Sequence, residues 1–324
     1  MTTREGRASA SGHVTLLFSV QADSPDPLMQ GSRGAGLCVD AEQSACEVVA
    51  RATPGSGVVT ASGDFADSRL HTSVVDELST IVPQVGEFDW SFEQRCGLPI
   101  QQGFGLSAAG SLSIAMATQR ALGLGEEESR RRSFHVAHVV ERHLSGGLGD
   151  VAALWVGGVD LRREPGCPEL GNGLGGTGVA EGWSMDLELV LAWRTHAARH
   201  TSSYIDDPEW RVRITQSGER LLDPLRGGDW NHTRWGELLA ASRDFAIESG
   251  LSMDAHRAEL LELTQSATGM SASCHLCMLG ESVAIVPIAL DTPLSSVAID
   301  DIRRKLGERG LQTVVAKLTS NTLR

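Results

Sequence analysis

The sequence predicts an α+β fold in which strands and helices are mixed in both halves of the chain. Three observations predict it. Short alternating or apolar runs such as HVTLLFSV (13–20) and FDWSFEQR (88–95) have the period of strands. Longer stretches at 107–122 and 126–144 carry helical spacing. The 324 residues are 41 % hydrophobic and 21 % charged, the balance of a packed globular chain long enough for two domains.

Taken in order, the first forty residues read as a strand pair: HVTLLFSV, a turn at GSRGAG (31–36), and a second strand starting at LCVD (37–40). ACEVVARA (45–52) and GVVTAS (57–62) read as further strands. In HTSVVDELSTIVPQ (71–84), Val74, Val75, Leu78 and Ile81 share a helix face, and Pro83 ends it. The two long helices are broken by GLG (123–125), and SGGLGD (145–150) ends the second. GGVDLRREPG (157–166) is a strand and turn. GNGLGGTG (171–178) reads as a flexible connector and sets the expected boundary between domains at 1–170 and 171–324. After it come a strand at MDLELVLAWR (185–194) and helices near 208–222, 233–249 and 254–266. The chain closes strand, strand, helix, strand at HLCMLG, VAIVPIAL, IDDIRRKLGERG and TVVAKLT.

Net charge narrows the partners. At −13 the chain is a poor match for nucleic acid or an anionic membrane, and no apolar run is long enough to span one. The N-terminal apolar run is short and alternating, unlike a secretory signal, and six scattered cysteines fit a reducing cytoplasm. Lys305 and Lys317 are the only lysines, so arginine must do the work of binding anions in the first 304 residues. Oligomeric state is not encoded legibly, and a homodimer stays open.

Three segments carry candidate chemistry. In PIQQGFGLSAAG (99–110), Gly103 and Gly105 permit a backbone that brings amides close to a ligand, and the following helix aims its positive end at the same place. The segment is either a phosphate site or a helix cap in which Ser107 satisfies N–H groups. In ERHLSGGLGD (141–150), Glu141 sits in the last turn of a helix, against the dipole, with Asp150 nine residues on. The two carboxylates either hold Mg²⁺ and accept a hydroxyl proton, or are a solvated glutamate and a capping aspartate. In GSRGAG, Arg33 follows Ser32 between glycines, where a guanidinium suits a carboxylate or phosphate or is simply exposed. GNGLGG (171–176) lacks the strand and helix of a dinucleotide site, CHLC (274–277) lacks a second cysteine pair, and ESRRRS (128–133) reads as a solvated helix start.

In this order the segments resemble the GHMP kinase superfamily of small-molecule kinases. ASGHVTLLF (10–18) stands at its first motif, PIQQGFGLSAA (99–109) at its phosphate loop, ERHLSGGLGD (141–150) at its Mg²⁺ helix and catalytic loop, and ATGMSASCHLCMLGES (267–282) at its third motif, with few glycines. His13 stands where many relatives carry lysine, and Leu106 replaces the first of two paired serines. SGHVTLLF, GSRGAGLCVD and GLGDVAALWVGGVDLRREPG look most like the pantoate kinase branch.

The resemblance implies a two-domain architecture: an N-terminal domain like the second domain of ribosomal protein S5, a ferredoxin-like C-terminal domain, and an active site between them. It implies ATP and Mg²⁺ as cofactors, with pantoate as the small-molecule partner. ATP would lie on Gly103, Phe104, Gly105, Leu106, Ser107, Ala108 and Ala109, and Mg²⁺ on Ser107 and Glu141. Asp150 would be catalytic, and Arg33, Ser32 and His13 would contact the acceptor. A kinase for mevalonate or homoserine, or a non-catalytic nucleotide-binding homologue, fits the same residues.

Overall fold

The computed structural model describes residues 3–41, 44–64, 68–195, 207–270 and 272–324. It is α+β, as the sequence predicts, and is built on two main sheets. The smaller sheet has the order β1-β4-β6-β5, from Arg4–Ala10 (β1), Cys46–Pro54 (β4), Val59–Gly63 (β5) and Phe88–Cys96 (β6). Its inward faces follow the period of two: Cys46, Val48, Ala50 and Ala52 on β4, and Phe88, Trp90 and Phe92 on β6. Helices α1 (Arg69–Ile81), α2 (Leu106–Ala121) and α3 (Glu126–His143) complete this core. Three glutamates open α3 and Arg142 and His143 close it, so its end charges complement the dipole.

β1 has no apolar signature, and the sequence does not announce it. Its inward residues are Gly6, Ala8 and Ala10, small because α2 lies against the strand. A Cβ at Gly6 would come within 2.1 Å of the Ala117 carbonyl oxygen.

The larger sheet runs β10-β7-β3-β14-β11-β13-β12, with β2 paired to β3. Its strands are β2 (Gly12–Phe18), β3 (Gly34–Asp40), β7 (Val159–Glu164), β10 (Val179–Trp183), β11 (Glu188–Trp193), β12 (Ala272–Leu276), β13 (Ser282–Pro287) and β14 (Gln312–Leu318). It passes from the first half of the chain to the second through two residue pairs, Lys317 with Asp40 and Leu318 with Val39. Helices α5 (Pro208–Arg226), α6 (Trp235–Glu248), α7 (Ala255–Thr268) and α8 (Ser296–Gly307) belong to the second half. Asp207 and Asp254 cap α5 and α7 by accepting from backbone N–H groups. No helix among the described residues is long and apolar enough to cross a membrane.

Three local expectations change. GSRGAG is not a turn, because Gly34 to Gly36 already belong to β3. The glycines there make room for buried polar side chains. A Cβ at Gly34 would meet Arg162 Nη2 at 2.1 Å, and one at Gly36 would meet His13 Nε2 at 2.4 Å. GNGLGGTG is not an open connector, since β8 (Glu169–Gly171) pairs there with β9 (Leu174–Gly175). The strand expected at HLCMLG starts earlier, and residues 277–280 form the turn that leads into β13. That turn, together with α4 (Asp150–Val156), borders the candidate site.

Candidate active site

A cleft of about 570 Å³ opens where β2, the start of α2, the 145–149 loop and the 278–280 turn meet. Gly103 and Gly105 have φ of 81° and 64°, the left-handed region that glycine adopts freely. The loop they form is held from both halves of the chain. His13 N–H donates to the Phe104 carbonyl at 3.0 Å, and the Ser282 hydroxyl donates to the Gln102 carbonyl. A Cβ at Gly103 would lie 2.9 Å from Cys277 O and Gly280 N, so a side chain there would push the turn away. No side chain caps α2. Its first N–H groups and dipole are therefore left facing the cleft, an arrangement suited to phosphate.

Ser107 is not a helix cap. Its hydroxyl donates to Glu141 Oε1, and Gly147 N–H donates to Glu141 Oε2 at 2.7 Å. Burial pushes the Glu141 carboxyl up to about 7, opposed by the Ser107 bond and reinforced by the charge of Asp150. A desolvated carboxylate beside a hydroxyl is a hard oxygen donor set, and it fits Mg²⁺. Among the described residues no group of three or more His, Cys, Asp or Glu forms a metal cage. Mg²⁺ commonly takes only one or two carboxylates, completing its shell with water and substrate phosphate.

The raised Glu141 value has a testable consequence for the ligand-free fold. Ionising the carboxyl costs the native state more than the unfolded chain, whose glutamate titrates near ~4.3. Stability from this group is therefore full below that range and is lost as pH rises through about 7. In EDTA at pH 8, Glu141→Gln is expected to raise stability by about 4 kcal/mol at most, at 1.36 kcal/mol per pKa unit. At pH 5 the gain should shrink toward zero. Denaturant unfolding at the two pH values checks this, and an equal difference at both would refute it.

Asp150 is the first residue of α4, and its Oδ1 is taken by His13 Nδ1 at 2.6 Å and by the Thr15 hydroxyl at 3.4 Å. The glycines of the 145–149 loop exist because these groups crowd them. A Cβ at Gly147 would lie 2.1 Å from Asp150 Oδ2 and 3.2 Å from Glu141 Oε2. Behind Asp150 lies a row of buried charge: His13 Nε2 meets Asp160 Oδ2 at 2.8 Å, and Arg162 Nη1 donates to Asp160 Oδ1. Among the described residues, Arg162 Nε and Nη2 and Ser32 Oγ are buried without a hydrogen-bond partner; Ser32 lines the cleft, and Arg162, 1 % exposed, lies behind it. Gly149 lies directly over them, since a Cβ there would be 2.3 Å from Ser32 Oγ and 2.5 Å from Arg162 Nε.

Of the residues named from the sequence, Ser32, Gly103, Phe104, Gly105, Leu106, Ser107, Glu141 and Asp150 line the cleft. Leu106 joins the apolar core, so no hydroxyl stands there. Ala108 and Ala109 do not line it. They are buried against the smaller sheet, and their small size serves helix–sheet packing. His13 is fully buried and does not line the cleft, and both of its ring nitrogens are taken by Asp150 and Asp160, which leaves it none for a substrate. Arg33 is also outside the lining; its guanidinium binds Glu164, Glu219 and the Arg163 carbonyl. Arg162 and Asp160 are not among the residues the sequence singles out. Their signal is the pattern V-D-L-R-R-E on a strand that is buried on both faces.

Sequence comparison bears on this geometry. The chain is 30 % identical over 249 residues to the pantoate kinase of Thermococcus kodakarensis, covering 76 % of each protein. It belongs to the pantoate kinase family of the GHMP kinase superfamily. The family model for the GHMP kinases N terminal domain matches residues 71–158, which include the phosphate loop, Glu141 and Asp150. The pantoate kinase of Methanocaldococcus jannaschii is 24 % identical over 243 residues, 75 % of this chain and 80 % of that one. Among solved structures, a phosphotransferase related to the CoA biosynthesis pathway superposes with a TM-score of 0.76 at 21 % identity, covering 99 % and 98 % of the two chains. The two-domain GHMP kinase fold is thereby established for this chain, and the chain is a kinase of that type.

Proposed function

We propose that this GHMP kinase transfers the γ-phosphoryl group of ATP to the 4-hydroxyl of (R)-pantoate, giving 4-phosphopantoate and ADP. The observation that carries the reading is the unpartnered edge of Arg162 with Ser32 Oγ beneath Gly149, which lines the cleft next to Asp150. A buried guanidinium edge with no partner is costly in the ligand-free protein. Its fork matches a carboxylate, which pantoate carries and which would complete it. In this reading Arg162 and Ser32 replace Arg33, whose own carboxylate partners already satisfy it.

The loop amides from Gly103 to Ser107 would bind the phosphates, and Ser107 and Glu141 would hold Mg²⁺. The ion, when bound, neutralises charge that builds on the phosphate oxygens. Asp150 Oδ2, which makes no hydrogen bond among the described residues, orients the acceptor hydroxyl and takes its proton. As the hydroxyl oxygen bonds to the γ-phosphorus, the bond from that phosphorus to the bridging oxygen of ADP breaks. Positioning and charge stabilisation carry most of such a reaction.

The test is ADP release coupled to identification of the phosphorylated product, with (R)-pantoate, mevalonate and homoserine as acceptors. Turnover with (R)-pantoate at least a hundredfold above the others is expected. All three acceptors carry a carboxylate, and homoserine adds an ammonium on the adjacent carbon, close to the Arg162 guanidinium. Preference for another acceptor would overturn the substrate, and silence with all three would mark a non-catalytic homologue.

A further inference from the structure

His13 is the second residue of β2, a strand whose seven residues are all buried, and it does not itself line the cleft. Both ring nitrogens nevertheless end on carboxylates, Nδ1 on Asp150 Oδ1 at 2.6 Å and Nε2 on Asp160 Oδ2 at 2.8 Å. An ionised carboxylate only accepts hydrogen bonds, so a ring between two of them must donate from both nitrogens. Only the imidazolium does that. Burial opposes its charge, and the Asp160 carboxylate, with the hydrogen bonds from both aspartates, outweighs burial and moves the His13 value up.

The other groups facing the ring leave this balance intact. Arg162 Nη1 on β7 stands 3.4 Å from Nε2, and it is itself bound to Asp160. The Thr15 hydroxyl on the same strand is 3.3 Å from Nδ1. Cys38, paired with His13 across β3, is held as a neutral thiol by burial and by Asp160. The result is a row of alternating charge, Asp150, His13, Asp160, Arg162, drawn from α4, β2 and β7. The backbone of His13 also donates to Phe104 O, so one residue anchors the phosphate loop and the catalytic carboxylate.

We propose that His13 and Asp160 are positioning residues for phosphoryl transfer. The His13 imidazolium holds Asp150 by Oδ1, which leaves Oδ2 alone for the acceptor hydroxyl, and Asp160 ties that arrangement to Arg162. The two contacts that would grip pantoate, at its hydroxyl and its carboxylate, are thereby fixed at a set separation by three buried side chains. His13 is no proton acceptor, because both of its nitrogens already carry protons. The inference rests on the pantoate kinase reading for the acceptor at each end of the row.

The test uses the full chain with saturating ATP and (R)-pantoate. His13→Gln keeps one donor and removes the charge, and its kcat should fall about a hundredfold while the Kd for ATP stays within threefold. His13→Lys returns a cation to the same place and should recover at least tenfold of that loss; a side chain needed only for packing would not be rescued this way. In the double variant with Asp150→Asn the losses should not multiply, because His13 acts through Asp150. Asp160→Asn, which keeps shape and breaks the row elsewhere, carries the same test if His13→Gln does not fold, and should lower kcat at least tenfold. A kcat within threefold of wild type in these variants, or losses that multiply in full with that of Asp150→Asn, overturns the proposal. A wild-type protein with no turnover on any acceptor overturns the functional reading and the inference with it. An active wild type with unaffected variants overturns the inference alone.

Discussion

Asp150→Asn is expected to lower kcat by about three orders of magnitude, within the usual range for a positioned acid–base group, and to leave the Kd for ATP within threefold. The argument follows the two carboxylate oxygens separately. Oδ1 accepts from His13 Nδ1 at 2.6 Å, so in the amide the carbonyl oxygen must take that place. The NH₂ group then occupies the position of Oδ2, where it donates and cannot accept. The acceptor hydroxyl loses both its orienting partner and its proton acceptor, with almost no change in volume. ATP binding rests on the α2 loop and on Ser107 and Glu141 in this reading, and none of these hydrogen-bonds to Asp150. Near-normal turnover in the variant would remove Asp150 from the reaction.

The second large effect is on the acceptor. Arg162→Lys should raise the KM for pantoate at least thirtyfold and change that for ATP less than threefold. Lysine keeps a charge but has no planar fork, and a broken buried charge pair at a binding site costs about 2–5 kcal/mol. Arg33→Ala is the matched comparison. Arg33 lies one residue from Ser32, and Glu164 and Glu219 occupy its guanidinium, so its loss should change the pantoate KM by less than about threefold. Steady-state kinetics in both substrates separates the two arginines. A large pantoate effect in Arg33→Ala with none in Arg162→Lys would return the carboxylate to Arg33.

These predictions show where the sequence is legible and where it is not. The phosphate loop and the Glu141–Asp150 segment stand out because glycines, a helix start and carboxylates fall close together in the chain. β4, β6, α1 and α3 are readable from hydrophobic period, whereas α2 is a long apolar run buried nearly all round. β1 is hidden because its buried face is glycine and alanine, whose role depends on a helix more than a hundred residues away. Arg162 and Asp160 are hidden for a different reason. On a strand, charged residues at alternate positions read as a solvated face, and only the packing of β2, β3 and α4 around β7 reveals that the face is internal. Arg33 stood out through its glycine neighbours, yet those glycines make space for Arg162 and His13.

The phosphate loop is closed by contacts from residues more than 260 positions apart: the backbone of His13 on one side, and Ser282 with the 277–280 turn on the other. Fixing one residue's backbone costs about 1–2 kcal/mol of conformational entropy. For this loop that cost is met when the two halves of the chain dock, before any nucleotide arrives. ATP would then meet a surface that needs no ordering, and its affinity would gain from preorganisation. In the proposed reading the C-terminal half would take part in nucleotide binding by holding this loop in place. Any change that loosens the seating of the β12–β13 turn would be felt as weaker nucleotide affinity, and amide exchange at residues 102–106 would report it.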